Sequence, residues 1–237
     1  MKKLAFLALS ALATAAMAVQ PVSPGAITIH SGATSIQGVS ITATPVVNIS
    51  NAASDALQNL ASNSGRVDVR GYSEQRATTL RGSVNNEALN RDDFANQNIS
   101  SNAGIVDVGT KGYSLQQTSL TDSNVSNKAG GTRATAIQNL ASNNDKVDIV
   151  GKSLQSVSAT NSSVSNEASG HNALATQNLS SNFGKVMVAG LSDQTTSLSG
   201  ALVINLARGM NSHAAQNIAS NDACNEPRDP CPGCNIR

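Results

Sequence analysis

The residues best suited to covalent or metal chemistry are three cysteines near the end of the chain, Cys224, Cys231 and Cys234. A zinc site would need a fourth ligand and a second pair of ligands, and no histidine lies nearby. A redox Cys-x-x-Cys belongs to a thioredoxin-like βαβ context, which the sequence lacks. In an oxidising compartment we expect a disulfide between Cys231 and Cys234, with Cys224 left free or competing for one partner.

Acidic residues recur at one repeat position, Asp68, Asp107 and Asp148, each between two aliphatic residues. Calcium takes six to eight oxygen ligands, and each repeat offers one carboxylate. We interpret these aspartates as outward charges that discourage unwanted strand pairing, about 10 Å apart and repelling each other by about 0.4 kcal/mol in water. The histidines occupy no equivalent positions and are interpreted as surface residues: His30, His171 and His213.

Amides are the most regular polar residues of the chain. The pattern Gln-Asn-(Leu or Ile)-(Ala or Ser)-Ser-Asn starts at Gln58 and recurs at steps of 39, 41, 39 and 39 residues, the last copy being shortened. A second pattern, Gly-x-Ser-x-Gln, lies between those copies. In both patterns, apart from the shortened copy, a valine follows nine residues after the glutamine. The amides at these positions, with an asparagine two residues after each second-pattern valine, are Gln58, Gln75, Gln97, Gln116, Gln138, Gln155, Gln177, Gln194, Asn86, Asn127, Asn166 and Asn205.

The elements that position these amides follow from the period, because a fixed repeat is the signature of stacked architectures. Each half of the period reads as a strand carrying Gln, a polar turn and a strand carrying Val. The sequence therefore predicts an all-β solenoid of about ten rungs of about 20 residues, in five repeats of about 39 residues. The pattern allows each period to form two simple rungs or one folded-back rung. Two internal columns are predicted, one of Leu60, Ile99, Leu140, Leu179 and Ile218 and one of Val67, Val106, Val147 and Val186.

The first-pattern glutamines share a strand face with the Leu or Ile column, so this pattern places them inside. In the second pattern the predicted core face is Val84, Asn86 and Ala88 and their equivalents, which places the asparagines inside as well. An unpaired buried amide costs roughly 1–3 kcal/mol. Strands in adjacent rungs lie about 4.8 Å apart, so identical amides can bond along the stack as a ladder. The alternative is that the amides face solvent.

Composition agrees with a thin solenoid, since aromatic residues make up 2% of the chain and tryptophan is absent. Disorder is the competing interpretation of an Asn- and Ser-rich chain, and the regular Leu and Val positions oppose it. We predict four segments: a signal peptide at 1–18, a linker or partial rung at 19–35, the repeat solenoid at 36–221 and a cysteine-containing tail at 222–237. Removal of Lys2 and Lys3 with the signal peptide changes the formal net charge from +1 to −1.

Two families resemble this repeat. The segment from Gln97 to Val108 is similar to the curlin repeat, with Asn five residues, Gly seven and Val nine after the Gln. The longer unit from Asn166 through 180–184 to Gly190 resembles Fap-type functional-amyloid subunits, which are secreted Asn/Gln-rich repeat proteins ending in a Cys-x-x-Cys like Cys231–Cys234. Either resemblance implies an extracellular fibre subunit of a biofilm matrix, with an outer-membrane exporter and a minor nucleator subunit as partners.

The functional expectation is thus a secreted structural protein that assembles with itself, and no cofactor is expected. The alternative is a secreted adhesin that binds a glycan or a surface. Such a binding face should carry exposed aromatic residues in register, and Tyr72 and Tyr113 are the only such pair in the sequence. A polysaccharide enzyme would need its carboxylates gathered in one cleft, and here the ionisable residues are dispersed. The near-neutral charge does not favour nucleic acid, and the apolar run at the start is too short to span a membrane.

Overall fold

Residues 25–51 and 53–222 are described by the computed structural model, and they form a solenoid of five stacked coils built from strands. The predicted signal peptide and the three cysteines lie outside these residues. The first coil begins at β1, within the segment that the sequence analysis treated as a linker or partial rung. No helix in the described part of the chain is long and apolar enough to cross a membrane.

Each coil contains five strands. The first coil has β1 (Ala26–Ile29), β2 (Thr34–Thr42), β3 (Pro45–Asn51), β4 (Ala56–Leu60) and β5 (Asn63–Ser64). The second has β6 (Arg66–Val69), β7 (Tyr72–Leu80), β8 (Ser83–Leu89), β9 (Ala95–Ile99) and β10 (Asn102–Ala103). The third has β11 (Val106–Val108), β12 (Tyr113–Thr121), β13 (Asn124–Ala129), β14 (Ala136–Leu140) and β15 (Asn143–Asn144). The fourth has β16 (Val147–Ile149), β17 (Lys152–Thr160), β18 (Ser163–Ser169), β19 (Ala175–Leu179) and β20 (Asn182–Phe183). The fifth has β21 (Val186–Val188), β22 (Leu191–Ser199), β23 (Leu202–Arg208), β24 (Ala214–Ile218) and β25 (Asn221–Asp222).

Equivalent strands of successive coils pair in parallel and form five sheets, each with five strands. Sheets A to E contain the first to the fifth strands of the coils, respectively. Their register aligns both predicted columns, since Leu60 lies beside Ile99 in sheet D and Val67 lies beside Val106 in sheet A, and so on through the stack. The all-β solenoid with a repeat of about 39 residues and its two columns are confirmed.

The two halves of each period share one coil, so five coils stand where about ten rungs were predicted. Gln58 lies beside Gln97 of the next repeat and not beside Gln75 of the same repeat. Identical residues recur only after a whole repeat, so only the whole repeat stacks like on like.

The corners of the coil repeat as faithfully as the strands. The corner between the fourth and fifth strands holds a residue with φ between 48° and 51° in every coil, namely Ala61, Ser100, Ala141, Ser180 and Ala219. The next corner takes Gly65, Gly104 and Gly184 at positive φ, with Asp145 at 85° in the equivalent place. Glycine and aspartate suit the polar turn that the sequence predicts between the Gln strand and the Val strand. The left-handed alanine and serine were not predicted, because L-residues pay roughly 1–2 kcal/mol there.

The core consists of small aliphatic columns in place of aromatic side chains. One cluster joins sheets B, C and D through residues such as Ala77, Val84 and Ile99. A second consists of alanines at the end of sheet C and the start of sheet D, and a third consists of Val and Ile in sheet A. Each inner coil buries its columns against the coils on both sides, so a thin solenoid needs no large aromatic side chains.

Candidate functional site: amide ladders and coil ends

The first-pattern glutamines form a ladder through the interior, as predicted. Gln97 donates to Gln58 over 2.8 Å, Gln138 to Gln97 over 2.8 Å and Gln177 to Gln138 over 2.7 Å, and Gln216 continues the series over 2.6 Å. Gln97, Gln138 and Gln177 are fully buried. A further bond from Gln138 Nε2 to the carbonyl of Ser165, at 3.0 Å, ties sheet D to sheet C. These amides therefore carry hydrogen bonds both along the stack and across it.

The second-pattern asparagines form a second ladder. Asn86 donates to Asn127, Asn127 to Asn166 and Asn166 to Asn205 over 2.8–2.9 Å, and Asn48 extends the series into the first coil. Asn127 Nδ2 also donates to the carbonyls of Ala95 and Ile137 in sheet D. The predicted inward direction of this column is confirmed.

The second-pattern glutamines behave differently from the ladder predicted for them. Gln75, Gln116, Gln155 and Gln194 each donate across the coil, to Asn102, Asn143, Asn182 and Asn221 over 2.7–3.0 Å. The Oε1 atoms of Gln75, Gln116 and Gln155 are buried without a hydrogen-bond partner. Gln75, Gln116 and Gln155 are buried, as the pattern indicated, and Gln194 in the last coil is half-buried. All four cross-link two halves of one coil. The asparagine of sheet E accepts the hydrogen bond from Nε2, in place of the glutamine of the neighbouring coil.

Two further ladders were not predicted. One runs through Asn63, Asn102, Asn143, Asn182 and Asn221 in sheet E, and the other through Asn59, Asn98, Asn139, Asn178 and Asn217 in sheet D. Their signal lay in the motif, because both asparagines recur with the same period as the glutamine. The first series follows the Gln strand, where the sequence predicts a polar turn. The second lies on the opposite pleat from the glutamines, where alternation predicts solvent.

The four ladders do not all point the same way. In the Gln58 and Asn59 columns each amide nitrogen donates to the coil before it, whereas in the Asn48 and Asn63 columns it donates to the coil after it. Within the described residues, Gln216 and Asn217 receive no bond from a further coil. At each end of the stack, two ladders therefore finish on an amide oxygen, which can accept a bond, and two on an amide nitrogen, which can donate one.

Both end coils present strand edges and apolar side chains. Every sheet ends on a first-coil strand at one side and on a fifth-coil strand at the other. Ile36, Val47, Ile49 and Leu57 in the first coil are exposed, and so are Met187, Leu191 and Leu202 in the fifth. Equivalent edges in the inner coils are all paired. Edges that no strand of residues 25–51 or 53–222 pairs are templates for a further strand.

The aspartate column stands outside sheet A, but more closely spaced than predicted. Asp68, Asp107 and Asp148 are direct cross-strand partners in adjacent coils, so the separation is one strand spacing of about 4.8 Å rather than two. Partial burial raises the pKa of Asp107, and the carboxylates of Asp68 and Asp148 raise it further. Arg70 forms an ion pair with Asp68 at 3.0 Å. No group of three or more potential ligands in the described ranges is arranged to hold a metal ion.

Asp93 is a buried acid that lies outside the repeat patterns of the sequence. Its carboxylate receives the backbone N–H groups of Asn90, Gly130 and Thr132 at 2.8–3.0 Å and so joins the loops of two coils. A Cβ at Gly131 would collide with this carboxylate. The three N–H donors satisfy the carboxylate, which assigns Asp93 a structural role.

Tyr72 and Tyr113 lie on the outer face of sheet B and stack on each other, with ring centroids 5.3 Å apart and 15° between planes. The Tyr72 hydroxyl donates to Glu74, whose acceptor oxygen is the largest cause of a raised pKa of Tyr72. His30 and His171 are exposed and His213 is half-buried, so the described histidines lie at the surface.

The chain matches no protein-family model, no curated protein and no solved structure.

Proposed function

We propose that this chain is a structural protein, the subunit of an extracellular functional-amyloid-like fibre that grows by stacking coil on coil. The observation that carries the proposal is the pair of open coil ends. Each offers five strand edges, exposed aliphatic side chains and four interrupted amide ladders.

The energetic argument compares an end with an inner coil. Adding one coil to an end pairs five edge strands and extends four ladders, as between any two inner coils. In the same step it covers aliphatic side chains, each worth about 1.5–3 kcal/mol when fully buried. A net charge near zero does not oppose association. Solenoids that remain single molecules usually carry polar caps, whereas the described end coils expose aliphatic side chains.

Secretion through the predicted signal peptide, a place in a biofilm matrix, an exporter and a nucleating subunit belong to the same proposal. They rest on the sequence of residues 1–18 and on the resemblance to Fap-type and curlin subunits. Self-assembly itself needs only the coil ends, so it is tested first.

The test uses the chain from residue 19 onward, purified in denaturant and diluted into buffer. Negative-stain microscopy is expected to show unbranched filaments, and fibre diffraction a reflection near 4.8 Å along the axis. A chain that stays monomeric at high concentration, by analytical ultracentrifugation, would overturn the fibre proposal.

The adhesin alternative is favoured by one observation, the stacked tyrosine pair on the outer face of sheet B. Monomeric protein that binds polysaccharide, and loses that binding in Tyr72→Ala with Tyr113→Ala, would favour it. Each ring already covers one face of the other, so fewer faces are open to a sugar than two separate tyrosines would present.

A further inference from the structure

The outer face of sheet C changes character between the inner coils and the end coils. Three adjacent columns on this face show the change, and the register aligns them residue by residue. They are Pro45–Ser83–Asn124–Ser163–Leu202, Val47–Asn85–Ser126–Ser165–Ile204 and Ile49–Glu87–Lys128–Glu167–Leu206. Each column is polar or charged in coils two to four and apolar at both ends.

These terminal residues are not core residues of the single chain. Val47 and Ile49 are each 53% exposed and Leu202 is 57% exposed, while Ile204 and Leu206 are half-buried. The same positions in the inner coils carry serine, asparagine, glutamate and lysine on a surface of the same geometry. An outer sheet surface needs no apolar residue there, so the end residues fit a covered environment.

A second copy of this chain supplies that cover. If the fifth coil of one copy continues in register onto the first coil of the next, Leu202 lies beside Pro45, Ile204 beside Val47 and Leu206 beside Ile49 of the next copy. All three columns then place apolar against apolar at the junction. Cross-strand aliphatic pairs of this kind stabilise adjacent strands.

The ladders give the contact a direction. In this arrangement Gln58 and Asn59 of the next copy donate to Gln216 and Asn217, as the same columns do between inner coils. Asn205 and Asn221 donate in turn to Asn48 and Asn63 of the next copy. A contact between two first coils would instead oppose donor to donor in the glutamine column.

The other sheets do not show the same match. On the outer face of sheet B the junction brings Asp193 beside Ile36, and on sheet A it brings Met187 beside Thr28, following the columns of the register. Apolar pairing in three successive outer columns is thus found in sheet C and not in sheets A or B. The last outer position of sheet C is polar at both ends, with Asn51 in the first coil and Arg208 in the fifth.

We propose that the outer face of sheet C is the specificity-determining seam between copies, where Leu202, Ile204 and Leu206 pack on Pro45, Val47 and Ile49 of the next copy. The proposal rests on the fibre function and adds its polarity, its register and the residues that select them.

Cysteine cross-linking tests the register. The background chain carries Cys224→Ser, Cys231→Ser and Cys234→Ser, and the test variant adds Val47→Cys and Ile204→Cys. Oxidation of assembled protein is expected to give a ladder of covalent multimers on denaturing gels. The matched control pairs Ile204→Cys with Asn85→Cys, which lies in the same column but in the second coil, and is expected to give none.

The outcomes separate the two proposals. Filaments without cross-links overturn the seam and leave the fibre function standing, and dimers from Val47→Cys alone overturn it in favour of first coils meeting each other. Absence of filaments from the background chain overturns the fibre function, and the seam with it.

A charge variant tests whether the apolar pairs matter. Ile49→Lys with Leu206→Lys places each lysine beside a glutamate of its own chain, Glu87 or Glu167, so the single molecule keeps a favourable neighbour. At the junction lysine meets lysine, and the critical concentration for assembly is expected to rise about tenfold or more. The single variant Leu206→Lys leaves isoleucine opposite and is expected to have a smaller effect. Unchanged assembly of the double variant would overturn the seam.

Discussion

The interior amides are the residues that hold the stack in register, because each one needs the same amide in the coils above and below. Gln138 illustrates this. Its Nε2 donates to Gln97 and to the carbonyl of Ser165, and its Oε1 receives Gln177. A leucine column would bury as much area but would tolerate a shifted neighbour, whereas an amide ladder penalises any shift with unpaired polar groups.

Replacement of Gln138 by leucine is expected to lower the free energy of unfolding by about 1–3 kcal/mol, because it leaves Gln97 Oε1 and Gln177 Nε2 unpaired in the core. Gln117→Leu, on the outer face of sheet B, is the control and is expected to change stability by less than about 0.5 kcal/mol. Chemical denaturation of the monomeric protein measures both. Equal stability of Gln138→Leu and the parent would contradict the ladder's role.

The aspartate column is a local charge conflict. Since the pKa of Asp107 is raised in the folded chain, folding favours its protonated form. The parent is therefore stabilised as pH falls through that raised pKa, and the gain is complete below the ordinary value of about 3.8. Asp107→Asn is expected to melt higher than the parent at pH 7, with the difference vanishing below about pH 4. Thermal melts across this range check it, with Asp55→Asn, at an exposed site, as the control.

Much of the residue scale could be predicted from the sequence. Period and alternation placed the Gln97 and Asn127 columns inside and the aspartates outside. Alternation failed at Asn98, which is buried although it faces away from Gln97. It also gave no partner for Gln75, because the choice between another glutamine and Asn102 depends on how the coil folds back.

At the scale of the element, the glycines of the Gly-x-Ser-x-Gln pattern mark the corner between the first two sheets. A Cβ at Gly151 would collide with the carbonyl oxygens of Gly109 and Gly112 in the coil before it. Gly71, Gly112 and Gly190 meet neighbouring backbone oxygens in the same way. The pattern showed that glycine recurs, and the structure supplies the reason, which is backbone contact between consecutive coils.

Gly151→Ala is expected to destabilise the protein by more than about 2 kcal/mol, because rigid backbone must move to admit the methyl group. Gly109→Ala is the matched control at the same corner. A Cβ there would find Arg70 Cγ at 3.6 Å, an ordinary contact, and the expected change is below about 0.5 kcal/mol. Similar denaturation midpoints for the two variants would refute the explanation.

The number of coils also belongs to the element scale. Both half-units have a strand, a turn and a strand, so their lengths alone allow ten rungs or five coils. The side chains distinguish the two arrangements. Stacking half-units would place Gln97 of the first pattern against Gln116 of the second and would interrupt the aliphatic columns beside them. Alternation of the two patterns therefore indicates a folded-back coil, because only whole repeats bring identical residues together.

At the scale of the whole molecule, the first and fifth coils have the same strands as the inner coils, and one edge of each is unpaired among the described residues. The described ends differ from the inner coils in their exposed aliphatic residues and unfinished ladders, and not in their backbone. Growth then depends on whether the edge strands remain able to pair. A substitution that removes one edge donor without touching internal bonds separates folding from assembly.

Ile218, in the edge strand β24, is such a site. The N–H of Ala219 donates to Leu179 in the fourth coil, so strand alternation points the N–H of Ile218 toward the open end. Ile218→Pro removes that donor and places the ring in the path of the next strand, while the bonds to the fourth coil remain. We expect monomers with a parent-like circular dichroism spectrum and no filaments by microscopy. Ile218→Val keeps the donor and is expected to assemble like the parent, and normal filaments from Ile218→Pro would show that sheet D does not take part in the junction.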